Sequence, residues 1–144
     1  MAKIQIAEEA TDKLVAAYEK LIPQLSQSSR PPTKQDLERM INSDITTVLI
    51  ATNKDDQIVG TMTLVLFRIP TGLRAWIEDV IVDSESQGKG IGKKLNQKAL
   101  TIAEKAGAKT VELTSRPSRE AANRLYQNLG FVKRETNIYR FTFD

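Results

Sequence analysis

The 144-residue chain contains no cysteine and no histidine. Without cysteine there is no disulfide, no thiolate nucleophile and no thiolate metal site, and without histidine the commonest side-chain base and metal ligand is missing. Any proton chemistry must therefore come from carboxylates, tyrosines, lysines, hydroxyls, backbone groups or water acting on a reactant that is already activated. No metal cofactor is expected. Long apolar runs are also lacking, with only short pieces such as 48–51 and 80–82, and no basic segment followed by an apolar stretch opens the chain, so the expectation is a cytoplasmic protein with no membrane association. Aromatics make up only 6%, and the net charge of +3 arises from 21 basic residues mixed with 18 acidic ones, which argues against nucleic acid as a partner.

The hydrophobic content of 40% suffices for an ordinary core in one domain spanning 1–144. Residues 3–8 alternate as a first strand, and Thr11 is placed to cap a helix carrying Leu14, Val15, Tyr18, Leu21 and Ile22. Thr33 with Asp36 forms a capping pair for a short helix through Ile41. Residues 46–52 and 58–67 read as a hairpin around the turn at 53–56, followed by a strand over 74–82. Ile91, Leu95, Ala99, Ile102 and Ala106 then fall on one helical stripe that Gly107 is suited to end. A strand over 110–113, a helix over 118–129 ended by Gly130, and short closing strands over 131–133 and 138–143 complete the pattern.

The informative stretch runs from Asp79 to Leu95, where a strand passes through a polar turn and three glycines into a helix. The first amides of a helix lack intrahelical acceptors and lie at its positive end, and glycines let an anion approach them. Lys89, Lys93 and Lys94 add complementary charge, and no acid interrupts the segment from Gln87 to Lys98. A Walker A loop does not fit, because only three residues separate Gly88 from Gly92-Lys93 and Lys94 stands where a hydroxyl is needed. A dinucleotide fingerprint fails on the Gly88-x-Gly90-x-Gly92 spacing and on the antiparallel strands that precede it.

A third pattern, Gln/Arg-x-x-Gly-x-Gly/Ala behind a Val-x-Val strand, is matched by Gln87, Gly90 and Gly92 after Val80 and Val82. A second segment, Asn123-Arg124-Leu125-Tyr126 running on to Leu129-Gly130-Phe131, follows a strand and a helix later. With both motifs in this order the sequence resembles the GNAT superfamily of N-acetyltransferases over nearly its whole length. The resemblance implies an α/β, mixed α+β fold: a mostly antiparallel seven-stranded sheet splayed between its fourth and fifth strands and flanked by about four helices. It also implies transfer of an acetyl group from acetyl-coenzyme A to a primary amine of a small molecule or peptide, by direct attack on the thioester. The alternative is an inactive acyl-coenzyme A binding or sensing module of the same fold.

Carried over by position, the resemblance makes Gln87, Gly88, Lys89, Gly90, Ile91, Gly92 and Lys93 the pyrophosphate loop. The backbone of Val80, Ile81 and Val82 would pair with the pantetheine arm, with an amide near Ile81 polarising the carbonyl. Tyr126 becomes the general acid, and Asn123 hydrogen-bonds the pantetheine or neighbouring backbone. Glu78 is the expected base, since plain alternation puts it on the same face as Val80 and Val82. The acceptor would be selected by residues 24–32 and 68–74, and the resemblance leaves room for a homodimer.

Overall fold

A computed structural model describes residues 2–144, which separate into two compact units, Met1–Leu113 and Thr114–Asp144. The first unit follows the expected order closely. It contains β1 (Lys3–Ile6), α1 (Asp12–Leu25), α2 (Lys34–Ile41), β2 (Thr46–Thr52), β3 (Ile58–Ile69), β4 (Gly72–Val82), a single 3-10 turn (Ser84–Ser86), α3 (Ile91–Ala106) and β5 (Val111–Glu112). The strands form one sheet in the order β1-β2-β3-β4-β5, antiparallel except for the parallel β4–β5 pair.

Local chemistry explains the helix boundaries. The Thr11 hydroxyl accepts from the Leu14 amide, and Thr33 and Asp36 form a reciprocal capping box at the start of α2. Replacing Thr33 by Ala leaves the Asp36 amide to water while the Asp36 carboxylate can still accept from the residue-33 amide, and we expect a loss of about 1 kcal/mol in chemical denaturation with no change of fold. Helix α3 starts at Gly90 and stops at Gly107, both in the left-handed region (φ 77° and 89°), where a side chain would be strained.

Both faces of the sheet are covered. Leu14, Tyr18, Leu21 and Ile22 of α1 and Leu37 of α2 form one cluster with Val48, Ile50 and Ile81. On the opposite face α3 lies so close that a Cβ at Gly60 would come within 3.1 Å of Ile91 and 3.3 Å of Leu95. Gly60 is the gap into which the start of α3 fits.

The second unit holds α4 (Glu120–Asn128). The closing strands expected over 131–133 and 138–143 do not form, so five strands rather than seven are present among the described residues. Val132, Tyr139, Phe141 and Phe143 are each more than four-fifths exposed, and Ile138 is 66% exposed. Their β-branched and aromatic composition favours a pleated, half-buried surface, but it supplies no ladder partner, and an unpaired strand gains nothing from propensity alone.

Candidate functional site

Strand β4 organises the site. Its partner β5 meets it at only two residues, Ala75 with Val111 and Trp76 with Glu112, whereas on the other side β4 pairs with β3 from Ile69↔Gly72 to Gly60↔Val82. Within residues 1–113, the stretch from Ile77 to Val82 therefore has no strand along its β5 side. Within those residues, edge amides and carbonyls of this stretch have no strand to pair with.

The alternation expected for Glu78 is corrected by a β-bulge. Register runs Thr63↔Glu78, Thr61↔Ile81 and Gly60↔Val82, so Met62 alone faces both Asp79 and Val80. Asp79 takes φ 49°, a left-handed conformation that aspartate tolerates better than most residues. Thr61 and Thr63 lie on one face of β3, so Glu78 shares its face with Ile81, the side covered by α1, and Val82 faces α3 instead. Plain alternation fails because the extra residue resets the pleat. A bulge also leaves the inserted residue outside the ladder, which frees a main-chain donor beside Asp79 and Val80.

Glu78 is exposed and accepts a 2.9 Å hydrogen bond from Nε1 of half-buried Trp76. The neighbouring Asp79 carboxyl is pushed above its ordinary pKa, first by burial and then by the Glu78 charge. Tyr18 of α1 is buried and its pKa is pushed up to about 12, mainly by burial, with the Thr61 hydroxyl beside it opposing the shift and the Asp79 charge reinforcing it. Neither the Tyr18 nor the Thr61 hydroxyl makes a well-directed hydrogen bond.

Beyond β4 the chain turns through Asp83 to the glycine loop. Gly88 (φ 80°) and Gly90 (φ 77°) are both left-handed, and a Cβ built on either meets no atom within 4 Å. Space is therefore open on the loop's outer side. The first intrahelical bond of α3 runs from the Lys94 amide to the Gly90 carbonyl at 3.0 Å, which leaves the amides of Ile91, Gly92 and Lys93 without a helical acceptor. Lys89 and Lys93 are exposed beside them, whereas Lys94 turns back to the Ala2 carbonyl. Gln87 is exposed and its side chain donates to the Val82 carbonyl at 3.4 Å. Ile81 and Ile91 have buried side chains, so each can contribute only main-chain groups. An open cradle of free amides flanked by two lysines can take an anionic group.

Asp83 is a site residue the sequence reading passed over. Its carboxylate, 6% exposed, accepts from Lys20 Nζ at 2.9 Å and from Gln24 Nε2 at 3.3 Å, both on α1. The Lys20 hydrogen bond holds the Asp83 carboxyl below its ordinary pKa against the opposing effect of burial, and the same contact raises Lys20. A lowered carboxylate pKa adds stability that is present above the unfolded value and lost as pH falls through the folded one. A raised lysine adds stability that is present below its unfolded value and lost as pH rises through the folded one. The difference in Tm between wild type and Asp83→Asn should therefore be flat from about pH 5 to 9 and shrink as pH falls below about 3.9.

In the second unit Tyr126 is 9% exposed and packs edge-on against Phe131, with ring centroids 5.8 Å apart. Burial raises its pKa, opposed in part by the Arg119 charge, so its hydroxyl keeps its proton across the neutral range. Asn123 donates to the carbonyls of Arg116 and Arg119 at 2.9 and 2.8 Å. It is thus committed as a donor to the turn before α4, the backbone half of its expected role, with only its amide oxygen left to accept from a ligand. Of the two segments expected to select an acceptor, 68–74 is a tight hairpin with only Pro70 and Thr71 between the strands, and Gln24 belongs to α1.

Comparison with known proteins agrees with this architecture. The chain is 35% identical over 71 residues to N-alpha-acetyltransferase 30 of Schizosaccharomyces pombe, covering 49% of this chain and 47% of that protein. It is 33% identical over 87 residues to mycothiol acetyltransferase of Renibacterium salmoninarum, covering 59% of this chain and 26% of that protein. The matched regions thus span half or less of these relatives. Among solved structures, a Trypanosoma brucei acetyltransferase superposes with TM-score 0.81 at 21% identity over 99% of this chain and 100% of that one. Glucosamine-6-phosphate N-acetyltransferase from Arabidopsis thaliana gives 0.81 at 22% identity over 100% and 99%. At these identities the likeness is one of fold. The model of the acetyltransferase (GNAT) family matches residues 11–131, from the cap of α1 to Phe131, and the chain belongs to that family.

Proposed function

We propose that the chain, acting as one domain over 1–144, is an N-acetyltransferase that uses acetyl-coenzyme A and a primary amine of a small molecule or peptide. The observation that carries this reading is the bend from Gly88 to Gly92, where two left-handed glycines with open space before them deliver free helix amides directly after a strand with a bare edge. When bound, acetyl-coenzyme A supplies a thioester carbonyl that an amine can attack without a covalent enzyme intermediate, which suits a chain lacking cysteine and histidine.

The amides of Gly88 to Lys93 hold the pyrophosphate, with Gln87 at the loop entrance and Lys89 and Lys93 balancing charge. Main-chain groups of Val80, Ile81 and Val82 pair with the pantetheine arm along the unpartnered edge. The amide freed by the bulge at Asp79-Val80 is better placed than one within the Ile81 pairing to donate to the carbonyl oxygen as it gains charge, a contribution typically worth about 3 kcal/mol. Glu78, on the α1 face, takes the amine proton directly or through water. Tyr126 gives a proton to the departing sulfur, and Asn123 steadies the turn before its helix.

The acceptor is the open quantity. Relatives by sequence or fold carry names that include an N-alpha-acetyltransferase, a mycothiol acetyltransferase and a glucosamine-6-phosphate N-acetyltransferase, all consistent with an amine acceptor. A screen of peptide N-termini, lysine peptides, amino sugars, polyamines, amino acids and aminoglycosides with acetyl-coenzyme A, read by free thiol release, should give turnover with at least one class. Tight binding of coenzyme A with no transfer to any of them would favour a sensing module instead. Because the reaction draws on acetyl-coenzyme A, the cytoplasm is the compartment we assign.

A further inference from the structure

We infer that Asp83 is a positioning residue for the cofactor loop, and that Lys20 and Gln24 of α1 are the partners through which it holds the loop in its binding shape. The inference rests on the proposed coenzyme A site, because it concerns the stem from which that site grows.

Three separate contacts converge on the Asp83-Ser84 corner. Lys20 Nζ meets Asp83 Oδ2 at 2.9 Å, Gln24 Nε2 donates to Asp83 Oδ1 at 3.3 Å, and the Ser84 amide donates to Gln24 Oε1 at 2.9 Å. The Gln24 amide thus reads a side chain with one end and the adjacent main chain with the other. The main chain of Asp83 is fixed as well, its amide donating to the Val59 carbonyl and its carbonyl accepting from Ser86, each at 2.8 Å. Its Oδ1 also faces the Glu85 amide at 3.4 Å and caps the 3-10 turn.

A carboxylate this enclosed needs charge and hydrogen-bond compensation, and α1 supplies it from outside the loop. Between this corner and Gly88 lie only the 3-10 turn and Gln87, and Gly88 and Gly90 have little conformational preference of their own. Loop shape must therefore be imposed from its ends: α3 fixes one, and the Asp83 clamp fixes the other. Since α1 carries the clamp and also leads into the segment 24–32 expected to select the acceptor, the cofactor loop and that segment are attached to the same helix.

The test uses two readouts. In the ligand-free protein, Asp83→Asn and Gln24→Ala should speed amide hydrogen exchange over residues 84–90 by about tenfold, leaving β2 and β3 protected as in wild type. In calorimetry with coenzyme A, both should weaken binding by about tenfold, while Lys20→Arg keeps affinity within twofold and Lys20→Ala does not. Thr33→Ala serves as the control: it lowers stability through α2 without touching the corner, and its affinity should match wild type. Gln24 is exposed, so its variant keeps the test available should Asp83→Asn fail to fold. Unchanged exchange and affinity in a folded Asp83→Asn or Gln24→Ala protein would overturn the clamp. Faster exchange in those variants, with a wild type that does not bind coenzyme A, would retain the structural clamp but overturn its cofactor role together with the proposed function.

Discussion

Tyr126→Phe should lower kcat by about 10²-fold or more and leave the affinity for acetyl-coenzyme A close to that of wild type. The substitution is well suited to its purpose, because phenylalanine preserves the edge-on packing against Phe131 and deletes only the hydroxyl. Burial makes that hydroxyl a weaker acid than free tyrosine, so it is fully protonated at neutral pH and available to a leaving thiolate. For the same reason any fall in rate caused by Tyr126 ionisation should lie above about pH 10, the ordinary tyrosine value, and should be absent from the Phe variant. A purely structural tyrosine would behave differently: kcat would survive, and the loss would appear in Tm. Single-turnover measurement with a responsive amine separates the two cases.

The second large effect is expected from Gly90→Val. Because nothing lies within 4 Å of a Cβ at this position, the first atom of the side chain meets no packed neighbour, and the substitution's intrinsic penalty is the left-handed backbone, of order 1–3 kcal/mol for a residue that resists it. If the loop relaxes to relieve that strain, the amides of α3's first turn lose their common aim, and coenzyme A affinity should fall by about 10²-fold. Helix α3 provides its own control. Gly107 at the other end is also left-handed with open space around its Cβ, so Gly107→Val carries a similar backbone penalty far along the helix from the loop. The two variants should lose comparable stability, and only Gly90→Val should lose cofactor affinity. Equal affinities in calorimetry would move the pyrophosphate away from this loop.

Much of the first unit was legible because its signals are local. Thr11, the Thr33–Asp36 pair and Gly107 each act within one helical turn, and they mark the ends of α1, α2 and α3 where the sequence places them. The strands expected over 46–52 and 58–67 declare themselves through β-branched composition and an intervening Asn-Lys-Asp-Asp turn, the second running two residues further than expected, to Ile69. What escaped depends on relations that periodicity does not encode. The bulge at Asp79 changes the face of every residue after it, and the only hint is an aspartate of low strand propensity amid Val, Ile and Trp. The Asp83 clamp joins residues 59 and 60 positions apart in sequence. The resemblance left Asn123 to bond either the pantetheine or neighbouring backbone, and only the fold shows that the carbonyls of Arg116 and Arg119 take its protons. The closing strands were misread because Ile138, Tyr139, Phe141 and Phe143 have strand chemistry without the pairing that makes a strand.

The short contact between β4 and β5 has a consequence for handling the protein. Within residues 2–113, main-chain donors and acceptors from Ile77 onward lack a strand partner on the β5 side, and such an edge is a template that an extended peptide could copy, including one from another molecule in a concentrated preparation. The kink at Asp79 shortens the straight part of that template, and a pantetheine arm lying along it would occupy the remainder. On the proposed cofactor placement, shelf life in the absence of coenzyme A and self-association through β-addition should therefore be linked, and added coenzyme A should protect by covering those groups.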